Sequence, residues 1–505
     1  MIMRPVLPCL LLLLLSAGPA FAAGPADPVS VSRPPEGQGE IFSPGFRVIA
    51  DVDPGYVEEE FLIGGAATNY TYAETPVRGE LLVLEDDVPY TTRIIVRRPA
   101  DPNRFHGTVV VEWWNSTAGF DTAPVWDPSA EFFAQEGWIY VGVTNSSDSI
   151  EHLITGCSAL PPILPSTCGT RYAGLSIPEN GIAFEMVSQI AHLLKGQSPD
   201  RPIPLEYDVR RIYHAGNSQQ GGSIVTYASN FHVPVNDGYF VQAASSARPI
   251  NFRPDCASAT APAYPACTPR LQGADALVDT NLPVPVLHSL TETDVPRGVA
   301  RGVRQPDTST YRLYEMAGVA HVTVHEGVDV IPGLLTLEQT CLNPMNTSAD
   351  GPVFGSYLLN AMWAKLDVHV TFGWPLPHGE PMEIDAVGDL VRDQHGNAKG
   401  GIRLPAVDVP IAMYTGTNEL DVANLPQFLQ GVANLLNLFC VLAGSTFDFD
   451  QAKLATLYQN NDGYVRRVRT AANDLKDEGF LLRRAVNRIV ADAEAADIMG
   501  EDGCG

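Results

Sequence analysis

Ser218, followed along the chain by two acids and then a histidine, is the set of residues whose types and order fit covalent chemistry. The run Ile212-Tyr213-His214-Ala215 reads as a short buried strand that reaches Gly216, turns through Ser218 and passes Gly221 and Gly222 into a helical stretch. A serine at the apex of a strand, turn and helix lifts its hydroxyl above the sheet. There it lies beside the helix's first unused N–H groups, where a nucleophile can meet a carbonyl. Glycines on both sides let strand and helix approach without a Cβ between them. The spacing departs from Gly-x-Ser-x-Gly: Gly216 stands two before the serine, Gln220 stands two after it, and Gly221 comes one residue late. Such a string also describes a serine that merely caps a helix, so an acid and a histidine at suitable places must decide between the two.

A triad on a sheet of this kind needs the order serine, acid, histidine. Glu292 and Asp294 follow the strand-like run Val284–Leu290, and His321 follows the next one, Tyr311–Glu315. Both positions are loops past the carboxyl ends of strands, where open α/β sheets bind ligands. Asp294 is the expected acid, because the turn Thr291-Glu292-Thr293-Asp294 ends on it, with Thr291 where a glycine is usual. Glu292 is one methylene longer and reaches the histidine only if the turn is tighter; otherwise it accepts hydrogen bonds behind the pair. The backbone N–H of Gln219 would serve an oxyanion, with a second N–H from the loop Asn115–Gly119, at Asn115 or Ser116. The plain alternative for that loop is an ordinary turn.

Metal chemistry finds no frame here. His321 and His325 have the i, i+4 spacing of a zinc site but lack the glutamate after the first histidine. Asp448, Asp450 and the run Asn460–Gly463 do not complete a calcium loop. No metal and no cofactor are expected.

These residues sit in a chain of 505, long enough for one elaborated domain or two. A formal net charge of −26 argues against nucleic acid or an anionic membrane as the main partner. The acidity itself reads as solubility; the partner expected from the serine, acid and histidine order is a small-molecule or polymeric ester, and the oligomeric state is left open. Residues 1–22 read as a secretory signal, with Arg4, an apolar centre Leu10–Leu15 and the small-x-small site Ala20-Phe21-Ala22. That centre is too short to span a bilayer, and no other stretch is long enough. The expected location is therefore secreted or periplasmic. Export permits disulfides: Cys157–Cys168 and Cys256–Cys267 share one spacing in proline-rich segments, Cys341–Cys440 is the third pairing, and Cys504 is left over.

The elements that must position the site alternate. Residues 47–99 read as antiparallel strands. Gly107–Trp114 and Trp138–Val143 are buried strands, Gly181–Lys195 has helical spacing, and strands at Gly238–Ala243, Val284–Leu290 and Tyr311–Glu315 come after the Ser218 turn. The fold class is α/β, a mostly parallel sheet with helices on both faces. A proline-rich insertion near 246–280 is placed like a lid. Domain limits are a core at 23–325 and a C-terminal extension at 326–505 packed on it, with helical runs at Leu425–Ala443 and Leu454–Ala495.

The chain resembles the secreted bacterial branch of the α/β-hydrolase superfamily whose elbow reads Gly-x-Ser-Gln-x-Gly. The matching pieces are Val111–Asn115, Arg171–Leu175, Gly216–Gly221, Thr291–Asp294, Ala317–His321, His395–Pro405 and Leu442–Ser445, which cover nearly the whole mature chain. The resemblance implies the α/β-hydrolase fold, triad roles for Ser218 and His321, and carboxylic-ester hydrolysis. An amidase or peptidase, a lactonase or an acyltransferase would use the same triad, and product analysis on ester and amide forms of one acyl group separates them. A non-catalytic binding protein on this scaffold would require loss of a triad residue.

Overall fold

The computed structural model describes residues 29–72, 79–158, 166–251, 271, 273–322, 329–331, 335–336, 339–344 and 355–498. The expected signal segment 1–22, most of the 246–280 insertion with the expected Cys256–Cys267 pair, His325 and Cys504 lie outside them.

The chain begins as an antiparallel unit of β1 (Ser30–Ser32), a single helical turn α1 (Ile49–Val52), β2 (Tyr56–Tyr72) and β3 (Leu81–Pro99). From there the pattern alternates: β4 (Thr108–Trp113), α2 (Trp126–Gln135), β5 (Ile139–Val143), α3 (Ser147–Ile154) and α4 (Ala183–Lys195). Next come β6 (Arg211–Asn217), α5 (Gln219–Phe231), β7 (Gly238–Gln242), β8 (Val286–Thr291), α6 (Val295–Ala300) and β9 (Tyr311–Ala317). After a small ladder of β10 (Asp329–Ile331) and β11 (Leu335–Thr336), α7 (Gly355–Phe372) precedes β12 (Ile402–Arg403), α8 (Pro405–Asp408) and β13 (Ala412–Thr415). The chain closes with α9 (Ala433–Ala443), β14 (Ser445–Asp448), α10 (Gln451–Leu457), α11 (Asn461–Asp477) and α12 (Arg483–Ala495).

Ten strands form one sheet in the order β1-β2-β3-β5-β4-β6-β7-β8-β9-β12, parallel from β5 onward. The order reverses between β4 and β6, because the chain runs from β4 out to β5 and then returns to the other side of β4. That switch point opens a crevice above the carboxyl ends of β4 and β6. Every residue of β4, β5 and β7 is buried. Their apolar runs fit strands covered on both faces.

One face is packed by α3, α4 and α5, with Ile150, Phe184, Met186, Ile190, Ile224 and Tyr227 against Val109, Val111 and Ile212. The other is packed by α2 and α7, with Phe133, Leu358, Met362, Trp363 and Leu366 against Tyr213, Phe240 and Leu287. Trp363 alone reaches the rings of Phe240, Phe133 and Trp138, with centroids 4.8, 5.5 and 6.1 Å away. Burying such a ring is worth several kcal/mol, since its truncation to alanine typically costs about 3–5 kcal/mol. The chain beyond residue 325 therefore supplies a helix to the central core and, through β12, one edge of the sheet.

Cys157–Cys168 and Cys341–Cys440 are joined as disulfides. The second lies in a separate apolar cluster with Leu425, Leu429 and Leu436. Asp450 and Asn460, residues of the weak calcium motifs, accept N–H bonds from Lys453 and Gly463 as helix caps. The long charged tail is three helices: Asn460 restarts it at α11, and Gly479, at φ +98°, breaks it before α12.

Candidate active site

Ser218 occupies the turn between β6 and α5 with φ +56° and ψ −113°, a conformation that a side chain adopts only under strain of order 1–3 kcal/mol. Its N–H donates to Gln242 O at 2.8 Å, tying the turn to the neighbouring strand. The glycines are there for close approach: a Cβ on Gly216 would lie 2.6 Å from the Gln220 carbonyl carbon, and one on Gly221 would lie 2.5 Å from Gln242 O. The late glycine thus does the packing that the usual position would do.

The loops after β8 and β9 bring Asp294 and His321 together. His321 Nδ1 donates to Asp294 Oδ1 at 2.8 Å, and both side chains are more than nine-tenths buried. The other carboxylate oxygen, Oδ2, accepts from Thr291 Oγ1 at 2.6 Å and from Thr291 N–H at 3.3 Å. This arrangement fixes the imidazole's orientation and leaves Nε2 as its free edge. Asn217, Gln242, Thr291 and His321 line one small cavity at the carboxyl ends of the strands. Among the described residues, no hydrogen bond is formed between Ser218 Oγ and His321.

Glu292 faces the other way. Its side chain is fully buried and accepts from Gly318 N–H at 2.8 Å, from Arg392 Nη2 at 2.8 Å and from Gly416 N–H at 3.2 Å.

The loop after β4 differs in detail from the expectation that Asn115 offers a backbone donor. Asn115 N–H already donates to Thr122 O at 3.1 Å, in a bridge returned by Thr122 N–H at 2.8 Å. Its side chain instead donates to Asn217 O at 3.1 Å, bracing the loop against the elbow. Ser116 is placed differently: its N–H and Oγ–H both donate to Gln219 Oε1, at 3.1 and 3.0 Å. Gln219 N–H, first in α5, is one of the four amides that a helix leaves unused.

Sequence reasoning passed over the buried polar groups that hold this loop. Glu112, one charge inside an apolar run, accepts from Val125 N–H, Trp126 N–H and Tyr140 OH at 2.9, 2.9 and 2.7 Å. Burial drives its carboxyl up to about 8. Asp121 sits with Thr144 on the buried Arg93, which also pairs with Glu60. A lone carboxylate in a buried strand was the available signal, since such groups persist only when paired. Thr291 and Thr293 carried none.

No described group of three or more His, Cys, Asp or Glu residues is arranged to hold a metal ion. Among the described residues no helix is long and apolar enough to cross a membrane.

No curated protein matches the chain. Solved structures that resemble it include a glucuronoyl esterase from Teredinibacter turnerae, at 14% identity over 58% of this chain and 74% of that one, with a TM-score of 0.28. A Pyrococcus furiosus esterase matches at 14% identity over 57% and 88%, TM-score 0.28. A dienelactone hydrolase from Anabaena variabilis matches at 13% over 50% and 85%, TM-score 0.26. Scores this low carry no argument about activity. The family model described as an alpha/beta hydrolase domain matches residues 28–491, and with a ten-stranded, mostly parallel sheet covered on both faces, the chain belongs to that family.

Proposed function

We propose that the protein is a secreted serine hydrolase that cleaves a carboxylic ester through an acyl-enzyme, with Ser218 as nucleophile, His321 as base and Asp294 as the orienting acid. The observation that carries the reading is the 2.8 Å bond from His321 Nδ1 to Asp294, made in a cavity wall shared with Asn217, the residue before the strained Ser218. With Nδ1 committed as a donor, Nε2 is the acceptor that takes the Ser218 proton as Oγ attacks the carbonyl. The oxyanion that forms is received by Gln219 N–H and, once the Gln219 side chain gives way, by the Ser116 N–H that its Oε1 now holds. In this reading the carboxamide oxygen stands in for the substrate oxygen. The protonated His321 then returns its proton to the leaving alcohol, and water, deprotonated by the same imidazole, releases the acid. The leader-like residues 1–22 and the two disulfides support export.

Turnover of a panel of chain-length and aromatic esters, each with its matched amide, tests the proposal against Ser218→Ala. Ester cleavage that falls to background in the variant is expected. Undiminished cleavage by the variant would refute the nucleophile, and amides cleaved as fast as esters would make the protein an amidase.

A further inference from the structure

We infer that the C-terminal third of the chain takes part in this reaction by positioning His321 and Asp294, through Arg392, Gly416 and the side chains of Glu292 and Thr293; the inference rests on the triad reading above.

The turn Thr291–Asp294 lies between two partners. On one side is the histidine loop: Glu292 N–H donates to Val319 O at 2.8 Å, Glu292 Oε2 accepts from Gly318 N–H at 2.8 Å, and Thr293 Oγ1 accepts from His321 N–H at 3.0 Å. On the other side is the segment near β13: Glu292 Oε1 accepts from Arg392 Nη2 at 2.8 Å and Gly416 N–H at 3.2 Å, and Thr293 Oγ1 donates to Gly416 O at 2.5 Å. Both side chains therefore span from one partner to the other. Gly416 presses close enough that a Cβ there would lie 2.5 Å from Thr293 N and 2.8 Å from the Glu292 carbonyl carbon. Beyond His321 the chain is pinned again, by Val322 N–H on Leu442 O at 2.9 Å.

The chemistry explains why charge is used. A carboxylate with no exposed surface must be compensated, and two amides with a guanidinium do so here. Removing the cation leaves an anion that pulls on two backbone amides, one of them three residues before His321. Removing the Thr293 hydroxyl orphans His321 N–H and Gly416 O together. A displacement near 1 Å at a reacting group costs on the order of 100-fold in rate.

The test compares Thr293→Val, Thr293→Ser, Arg392→Met and Arg392→Lys for p-nitrophenyl acetate turnover and for the rate of fluorophosphonate labelling. Ser218→Ala and Asp294→Asn run beside them. Thr293→Val and Arg392→Met are expected to lower kcat and labelling by roughly 10- to 100-fold with KM little changed. Thr293→Ser and Arg392→Lys should recover most of that loss. Unchanged kcat in Thr293→Val, or a loss that Thr293→Ser does not recover, overturns the inference. If Arg392→Met does not fold, the threonine pair decides alone, because it exchanges a hydroxyl for a methyl. Parental turnover in Ser218→Ala and Asp294→Asn would instead remove the triad reading, and this inference with it.

Discussion

Replacing Asp294 by asparagine removes a charge while keeping the shape of the group that faces His321. In the native site Oδ1 receives the Nδ1 proton at 2.8 Å and Oδ2 receives two bonds from Thr291, at 2.6 Å from its hydroxyl and 3.3 Å from its amide. Asparagine cannot satisfy both sides. If its oxygen stays with Thr291, its NH2 points at Nδ1, and the ring must carry its proton on Nε2, where no base is left for Ser218. If the amide flips, the NH2 meets the Thr291 N–H, a buried donor facing a donor, and the imidazolium of the transition state still has no anion beside it. The first arrangement keeps both Thr291 bonds and is favoured. A serine protease altered in this way loses about 10⁴ in kcat, or about 5 kcal/mol of transition-state stabilisation. We expect Asp294→Asn to approach that loss at neutral pH with unfolding unchanged, and Glu292→Gln to lose much less. Steady-state turnover on purified, folded variants decides it. The opposite order of effects would give the acid's role to Glu292.

The same geometry sets expectations elsewhere in the chain. Gly416→Ala places a Cβ against backbone atoms 2.5 and 2.8 Å away, so it should cost about 1–3 kcal/mol of stability or displace the turn and slow turnover; an unchanged melting temperature together with unchanged turnover would contradict the clamp. Loss of the Cys341–Cys440 disulfide, which spans 99 residues, should destabilise by about 4–5 kcal/mol in the chain-entropy model, against about 3 for Cys157–Cys168, which spans 11; denaturant midpoints of the two paired Cys→Ala variants would show the order.

Stability should also fall as pH rises from 6.5 to 8. Burial raises the Glu112 carboxyl to about 8 and that of Asp127 to about 7, so in this window the folded chain holds protons that the unfolded chain has released. His214 and His288, lowered by burial to about 3 and about 4, and His106, His152 and His232, also lowered by burial, oppose the carboxyls in the lower part of this window, because unfolding still binds part of their protons at pH 6.5 and almost none at pH 8. The net loss over that window should be about 1 kcal/mol, and denaturant unfolding at the two pH values that shows equal or greater stability at pH 8 would contradict it.

What the sequence made legible was local. The elbow could be read because Gly216, Ser218 and Gly221 meet requirements set within a few residues, and β4 through β9 could be read because apolar runs in a parallel sheet are continuous. The α7 helix was missed for a related reason. It meets the sheet with Leu358, Met362 and Trp363 and also carries Tyr357, Ala364 and Val370 near other elements, so no polar face marks its period. Its Asp367, which accepts from Thr108, Arg211 and Tyr213 at 2.9, 3.0 and 3.0 Å, is equally invisible in one dimension. Which N–H of the Asn115–Gly119 loop is already paired was not legible, because that depends on a bridge from Asn115 to Thr122, seven residues on, which composition does not encode. Glu292 and Asp294 could be named together from their turn. Their different partners come from Arg392 and Gly416, about a hundred residues later, so only the folded chain separates them.

In the proposed reaction Ser218 is an activated nucleophile. Reaction of the full chain with a fluorophosphonate, and then peptide mass analysis, should give a single adduct on Ser218 that is absent from Ser218→Ala and strongly slowed in His321→Ala. An adduct on Ser223, or labelling of Ser218→Ala at the parental rate, would contradict the claim.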